Sequence, residues 1–285
     1  MSIGLGYRPG VLSSAAGGGG GNANVFVLDN LGDIPAGGAE GDFGFVSGTP
    51  LPLRLKTVTL PDSEVRLQWV LARDYALTVA VNAYADGDEN SATLAGQGWT
   101  VTTSGTSSVT TDGTTITLAT TAASSGASLN TLAGALASSQ RFRILGEIWG
   151  DTPSTADLGY IAAGNDGVGS TDLALYNANV ASPAGFQPVN SGANSYLPAG
   201  GFAQSGPTYG PSTFTSAAAT QLCIIDDGAS VGGQMLREGS FYCPVRRVSS
   251  GVPTFPNGIT LAASSGSVGG GYSLFLRNVL IYTVS

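Results

Sequence analysis

The last strand of the chain carries apolar residues on both of its faces. In "YSLFLRNVLIYTV", residues 272–284, two alternating apolar sets are Leu274, Leu276, Leu280 and Tyr282, and Phe275, Val279 and Ile281. Successive side chains of a strand point to opposite faces of the sheet, so a strand with one wet face would be polar at every second position. The pattern therefore predicts a strand inside a β-sandwich rather than at a frayed edge.

The rest of the sequence also favours an all-β fold. Short runs of Val, Ile, Leu, Thr and Tyr alternate with turns of Gly, Ser, Asn and Pro, and 43 of the 285 residues are glycine. "EVRLQWVLA" and "YALTVAVNAY" predict strands, and "TTDGTT" predicts a hairpin turn. "ASLNTLAGALASS" places Leu129, Leu132 and Leu136 at helical spacing, which predicts one short helix.

Shifts in composition divide the chain into four segments. Residues 1–24 form an N-terminal arm with five consecutive glycines, residues 25–85 a small β unit, residues 86–97 a polar linker, and residues 98–285 an antiparallel β-sandwich. Within the sandwich, residues 177–216 form a long segment with few strand signals. A loop of that length is usually functional or bound to a partner.

Absent and rare residue types exclude several classes of function. The sequence has no histidine, which excludes Ser-His-Asp and Cys-His catalysis and imidazole metal sites. Its formal net charge is −8 without a basic cluster in the sequence, so we expect no nucleic-acid binding. No run reaches the roughly 18 apolar residues of a membrane span. Cys223 and Cys243 are expected to be buried thiols, with pairing open if their strands are neighbours.

One strand resembles the catalytic strand of jelly-roll glucanases, but incompletely. In "GEIWGD" the acids are Glu147 and Asp151, Trp149 stands at the position of the middle acid, and the second Glu is missing. Residues four apart on a strand are roughly 13 Å apart, whereas glycosidases hold two carboxylates about 5–10 Å apart. We therefore expect no hydrolysis, and we expect Glu147 to pair with an arginine on the sheet surface.

Two acidic segments offer ligands for calcium. The residues are Asp86, Asp88 and Asn90 in the linker, and Asp226 and Asp227 after an apolar strand. A calcium loop has Gly and Glu where this sequence has Ser91 and Gln97. Asp-Asp-Gly is typical of a turn. We expect a solvated linker and a turn without a cofactor, and calcium is the alternative at both places.

Aromatic and amide side chains are frequent in and near the long segment. A flat aromatic ring packs on the apolar face of a sugar, and amide groups hydrogen-bond to hydroxyl groups. The candidate carbohydrate-binding residues are Tyr176, Asn177, Asn179, Tyr196 and Tyr209, together with Trp149. The alternative is that most of these rings pin the loops onto the sandwich.

Three segments, "GWTVTTSG", "RILGEIWG" and "LFLRNVLIYTV", carry a resemblance to a known family. Through them residues 98–285 resemble the concanavalin A-like (lectin/glucanase, laminin-G-like) jelly rolls of bacteriophage tail fibres and other virion appendages. Residues 31–71, with "LGDIPAGGAEGDFGFVSGT" and "LQWV", resemble a small module of phage tail fibres and baseplate proteins. The departure at Trp149 favours binding without hydrolysis.

The resemblance implies a structural virion protein, assembled in the host cytoplasm, that is not an enzyme. It would be a trimeric tail fibre or receptor-binding protein, with the arm on other virion proteins and the sandwich on host cell-surface polysaccharide. A capsid decoration protein or head fibre is the alternative, and a jelly-roll polysaccharide hydrolase is a further one. A secreted bacterial lectin is disfavoured, because Arg8 and Pro9 interrupt the apolar run that a signal peptide needs.

Overall fold

The computed structural model describes thirteen ranges of the chain, and these ranges confirm the all-β class. They are residues 23–47, 52–83, 91–112, 115–131, 141–150, 157–164, 173–179, 182–185, 220–226, 231–237, 240–242, 258–265 and 271–285. Nearly all of these residues lie in strands or in the turns between them. Within the same ranges, no helix has both the length and the apolar character that crossing a membrane requires.

The described residues form eighteen strands and one short helix. In chain order they are β1 (Val25–Leu28), β2 (Phe43–Val46), β3 (Pro52–Thr59), β4 (Val65–Leu71), β5 (Leu77–Ala83), α1 (Ser91–Gly96), β6 (Trp99–Ser104), β7 (Ser107–Thr111), β8 (Ile116–Thr120), β9 (Ser125–Thr131), β10 (Arg141–Gly150), β11 (Asp157–Gly164), β12 (Leu173–Asn179), β13 (Ser182–Gly185), β14 (Thr220–Asp226), β15 (Val231–Arg237), β16 (Ser240–Tyr242), β17 (Gly258–Ser265) and β18 (Tyr272–Val284).

These strands form three sheets. A four-stranded sheet has the order β1-β2-β3-β4, and a six-stranded sheet has the order β13-β12-β11-β17-β9-β6. The eight-stranded sheet has the order β16-β15-β14-β10-β18-β8-β7, and β5 also pairs with β18. The strands β1 and β2 run parallel, and the other described pairs are antiparallel, including the β7–β8 hairpin predicted at "TTDGTT".

Two hydrophobic cores lie on opposite faces of the eight-stranded sheet. The first core joins it to the six-stranded sheet and includes Trp99, Leu129 and Leu261. The second core joins it to the four-stranded sheet and includes Leu55 and Trp69. Because both of its faces are covered in this way, the eight-stranded sheet is the middle layer of three. Each fully buried aliphatic or aromatic side chain in these cores contributes about 1.5–3 kcal/mol to stability.

The last strand, β18, lies at the centre of this middle layer. Strand β10 pairs along one side of it, while β8 and then β5 pair along the other. Leu276 and Ile281 belong to the first core, and Leu280 and Tyr282 belong to the second. The predicted burial of both faces is confirmed, with the four-stranded sheet as the second cover. The predicted grouping is wrong, because Leu280 and Tyr282 lie on the face opposite Leu274 and Leu276.

A β-bulge in β18 keeps its apolar residues on the correct faces. Opposite Gly146 of β10 stand two residues of β18, Asn278 and Val279. Asn278 has a φ of 55°, in the left-handed region that asparagine tolerates. Because of the extra residue, Leu276 and Val279 both reach the first core although they are three positions apart. A Cβ at Gly146 would lie 3.2 Å from Cα of Val279, so the two strands approach each other closely at this glycine.

The predicted helix around Leu129 is wrong. Leu129 lies in strand β9, which pairs with β6 on one side and β17 on the other. Pairing on both sides and burial in the first core outweigh a weak local spacing signal. Leu132 and Leu136 lie outside the described residues. The short helix α1 instead falls within the predicted linker, residues 86–97.

The division of the chain into four segments stays a prediction, but the structure adds one fact to it. Strand β5, which belongs to the predicted small unit at residues 25–85, pairs with β18 of the predicted sandwich. The two parts therefore share both a sheet and a hydrophobic core. Residues 1–22 of the predicted arm are not among those described.

Candidate functional site

The strand that resembles the glucanase catalytic strand is β10, and its Glu147 is fully buried, with 0% exposure. The carboxylate pairs with the guanidinium of Arg277 on β18. Nδ2 of Asn278 donates to Oε2 of Glu147 at 3.3 Å. Nη2 of Arg277 in turn donates to Oδ1 of Asn30 at 3.4 Å. The predicted pairing with an arginine is confirmed, but the predicted surface location is wrong, because the four-stranded sheet covers this face.

The loop after β1 closes over this ion pair. A Cβ on Gly32 would fall 2.1 Å from the side chain of Asn278, so the loop backbone lies directly on that residue. The side chain of Arg277 remains 32% exposed, while that of Glu147 is 0% exposed. A catalytic acid must reach its substrate. Glu147 is half of a structural ion pair at this position, and Asp151 lies beyond the described part of β10.

Trp149 is half-buried on the same face of β10. Its ring stacks on that of Phe275, with centroids 5.5 Å apart and planes inclined by 19°. The guanidinium carbon of Arg277 lies 5.5 Å from the centroid of the Trp149 ring. Stacking and cation–π contacts each contribute roughly 0.5–1.5 kcal/mol. These contacts hold the indole in place and leave only part of it for a ligand.

Three of the other predicted carbohydrate-binding residues lie on a different sheet from Trp149. Tyr176, Asn177 and Asn179 lie on β12 of the six-stranded sheet, whereas Trp149 lies on the eight-stranded sheet. Two members of the predicted set fall outside the described ranges, Tyr196 and Tyr209. The role of each of these residues in binding a glycan stays a prediction.

The predicted calcium ligands fall mostly outside the described ranges. Four of them are in undescribed segments, namely Asp86, Asp88, Asn90 and Asp227. Asp226 is the last residue of β14. In the part of the chain that the structure describes, no three Cys, Asp or Glu side chains are grouped so that they could hold a metal ion. Calcium at these positions stays a prediction.

Cys223 on β14 is a free thiol, buried as predicted. It belongs to the second core, and burial raises the pKa of its thiol to about 12, although the nearby Arg143 acts to lower it. A thiol with such a pKa is protonated and unreactive at neutral pH. Cys243 lies outside the described residues.

A buried polar network joins the end of β4 to the middle sheet. Asp74 accepts hydrogen bonds from Arg143, from Nε to Oδ2 at 3.0 Å and from Nη2 to Oδ1 at 3.3 Å. The hydroxyl of Tyr282 donates to Oδ2 of Asp74 at 2.7 Å and accepts from the backbone N–H of Leu71 at 3.0 Å. Burial, and then the charge of Asp74, raise the pKa of Tyr282 well above its usual value. The phenol therefore stays protonated and donates its hydrogen bond.

A pocket of about 400 Å³ opens beside this network. Its walls include Arg73, Asp74, Tyr75, Arg141, Arg143 and Val284. The charged side chains among them are three arginines and one aspartate, and the main-chain carboxylate of Ser285, which also lines the pocket, brings the formal charge there to +1. The pocket is the one place in the described structure where these basic side chains from β10 and from the β4–β5 turn converge.

Tyr75 stands at this pocket with its side chain largely in solvent, at 68% exposure. The guanidinium of Arg54 covers one face of its ring, with Cζ 5.4 Å from the ring centroid. Nζ of Lys56 donates to the backbone oxygen of Tyr75. Because one ring face is covered and the residue is still mostly exposed, the other ring face is open to solvent.

Sequence analysis missed this pocket. Arg54, Arg73 and Arg141 are far apart in the chain, so no basic cluster stands out in the sequence. The only available signal was that Arg54 and Lys56, two residues apart on one strand, share a face of the sheet. The convergence of Arg73 with Arg141 at the pocket depends on how the turn after β4 packs on the middle sheet, which sequence periodicity does not contain.

Comparisons with known proteins find likeness of fold. No family model matches the chain, and no curated protein matches its sequence. A carbohydrate esterase of the Shiga toxin-encoding bacteriophage phi24B is 14% identical over 73% of this chain and 100% of that chain, with a TM-score of 0.46. The seed lectin of Lotus tetragonolobus is 11% identical over 72% and 99%, with a TM-score of 0.46. Peanut lectin is 14% identical over 65% and 91%, with a TM-score of 0.42.

Proposed function

We propose that this chain is a structural protein of a phage virion, a tail-fibre or receptor-binding protein that binds host cell-surface glycan without hydrolysing it. The observation that carries the proposal is the pocket at Tyr75, where an open aromatic ring stands beside guanidinium groups. Ligand sites of this kind combine an apolar or aromatic wall with a few polar groups that orient the ligand. The resemblance of residues 98–285 to the jelly rolls of virion appendages supports the virion part of the proposal.

The absence of hydrolysis in the proposal rests on the state of two acids. Glu147, in the strand that resembles the glucanase motif, is fully buried and paired with Arg277. Asp74 lines the pocket, but its oxygens accept hydrogen bonds from Arg143 and Tyr282. Glycoside hydrolysis needs one acid to donate a proton and a second to act as base or nucleophile at the sugar. Neither carboxylate is presented to a ligand in that way.

The proposal includes an assembly. The chain forms a trimer in the host cytoplasm, the arm at residues 1–24 binds other virion proteins, and the sandwich faces the host. Five consecutive glycines do not hold a helix or strand alone, because glycine loses the most conformational freedom on ordering, so in this proposal the order of the arm comes from its partner.

Immunogold labelling of purified particles, with an antibody raised against residues 98–285, tests the virion role. Gold at the tail tip supports the receptor-binding protein. Gold distributed over the head would instead identify a capsid decoration protein or head fibre, and particles without gold would refute the virion role. Glycan binding is tested separately, by applying the purified full-length chain to an oligosaccharide array and measuring release of reducing sugar from each bound glycan.

A further inference from the structure

We infer that the pocket at Tyr75 selects glycans that carry a carboxylate, such as a uronic or a sialic acid. This inference rests on the glycan binding proposed above and adds the chemical class of the sugar. It is carried by three features of the pocket: its charge, its hydrogen-bond donors and its open aromatic face.

The charge of the pocket is opposite to that of the chain. The sequence has 19 acidic and 11 basic residues, a formal net charge of −8, so most of the molecule repels an anionic polysaccharide. The charged side chains that line the pocket are three arginines and one aspartate. Arg54 and Lys56 add two further positive charges next to Tyr75. A local positive potential on an acidic surface directs an anionic group to that one place.

Two of the arginines that line the pocket are exposed residues. Arg73 lies in the turn after β4, and Arg141 is the first residue of β10. Arg143 differs from them, because it is buried and donates to both oxygens of Asp74. Guanidinium groups offer paired N–H donors that match the two oxygens of a carboxylate. Arg73 and Arg141 therefore supply the contacts to the ligand, and Asp74 neutralises the arginine beneath them.

Tyr75 supplies the contact to the sugar ring. Tyr75 lines the pocket, the guanidinium of Arg54 lies over one face of its ring, and the residue is still 68% exposed. The hydrogen bond from Lys56 to the backbone oxygen of Tyr75 fixes the turn that carries the ring. The pocket volume of about 400 Å³ lies within the ~300–1,000 Å³ range of small-ligand sites. A charged group alone would need only the arginines, so the ring indicates an acidic sugar rather than a simple anion.

Calorimetric titration of the full-length chain, purified through an N-terminal tag, tests the inference with matched ligands. The probes are trigalacturonate and the same trisaccharide with its carboxyl groups reduced, and 3′-sialyllactose and lactose. A sulfated trisaccharide is the fifth probe. The variants are Arg73→Gln, Arg141→Gln and Tyr75→Ala, and the matched control is Arg66→Gln, which removes one positive charge from β4 outside the pocket lining.

We expect an acidic probe to bind at least about tenfold more tightly than its neutral partner, because a charge-assisted hydrogen bond contributes at least that factor. Arg73→Gln and Arg141→Gln should each raise the Kd for the acidic probe about tenfold or more. Tyr75→Ala should weaken the binding of both acidic and neutral probes. The control, Arg66→Gln, should bind like the native chain. The pair that shows the difference identifies the source of the carboxylate as uronate or sialate.

Three outcomes overturn the inference. Equal binding of acidic and neutral partners removes the carboxylate from recognition, and unchanged binding by Arg73→Gln and Arg141→Gln places recognition elsewhere. Preference for the sulfated probe replaces the proposed class with another anion. In each case glycan binding itself survives, whereas binding of none of the five probes and of no glycan on the array refutes the proposed glycan binding together with the inference.

Discussion

Replacing Asp74 by alanine should destabilise the fold by about 3–5 kcal/mol. The side chains of Asp74 and Arg143 are each only 5% exposed, so the substitution leaves the guanidinium buried without its counter-charge. Removing one partner of a buried ion pair typically costs that amount, because an uncompensated buried charge is highly unfavourable. Tyr282 also loses the acceptor for its hydroxyl, which adds to the cost.

Two further variants divide this cost. Tyr282→Phe keeps the ion pair and removes one hydroxyl, so we expect a loss of about 1–3 kcal/mol from the unsatisfied Leu71 N–H and the weaker shell around Asp74. The double variant Asp74→Ala with Arg143→Met removes both charges together. It should cost clearly less than the sum of the single substitutions, because neither leaves the other charge unpaired.

Urea unfolding followed by tryptophan fluorescence measures these values and locates them. Trp69 lies in the second core and Trp99 in the first, and each is 1% exposed. Since Trp149 is the third tryptophan of the chain, variants that keep only Trp69 or only Trp99 report each core separately. Asp74 is hydrogen-bonded to Tyr282 of the second core. The urea midpoint reported by Trp69 should therefore fall by at least as much as the midpoint reported by Trp99. Asp29→Ala, at an exposed position, is the control and should change stability by less than about 0.5 kcal/mol.

The reasoning is refuted if Asp74→Ala lowers the free energy of unfolding by less than about 1 kcal/mol, since a buried guanidinium without a counter-charge destabilises a fold by more than that. It is also refuted if the double variant lowers the free energy of unfolding by the full sum of the losses from Asp74→Ala and Arg143→Met. Additivity would mean that the two side chains do not stabilise each other.

Three other predictions concern separate parts of the molecule. Gly44→Ala should cost about 1–3 kcal/mol, because the new Cβ would lie 2.8 Å from the Trp69 ring, and Gly96→Ala, with open space around it, should be neutral or slightly stabilising in thermal unfolding. The free energy of unfolding should fall as pH rises from about 9 to about 12, because the Cys223 thiol ionises at a lower pH in the unfolded chain than in the folded one. Cys223→Ala should flatten that part of a curve of unfolding free energy against pH, and an unchanged slope would contradict the assigned burial. Glu147→Gln should lower the free energy of unfolding by about 1–3 kcal/mol and leave glycan binding unchanged; if the native chain releases sugar and this variant does not, the structural role given to the carboxylate is wrong.

The candidate site was predicted less well than the fold. On β10, Arg143, Glu147 and Trp149 lie on the face opposite Ile144, and sequence analysis correctly expected Glu147 to pair with an arginine. It did not anticipate that another sheet covers that face, so it assigned Glu147 to the surface. Burial of a polar residue depends on what packs against it, and here the cover comes from Asn30 in the loop after β1, more than a hundred residues away in the sequence.

By itself, the sequence determined the local properties of the chain. Alternation with a period of two identified β4 and β5, and two apolar sets on β18 required a cover on each face. These signals are local because they follow from the direction of successive side chains along one strand.

The tertiary structure decided which segments meet. The spacing of Leu129 predicted a helix, but Leu129 is a strand residue because β9 pairs on both sides. The bulge at Asn278 decides which residues of β18 face which core. The packing of the four-stranded sheet brought Tyr75 and Arg141 to one pocket. Long-range contacts depend on the combined burial of many side chains from distant segments, and no short stretch of sequence contains that sum.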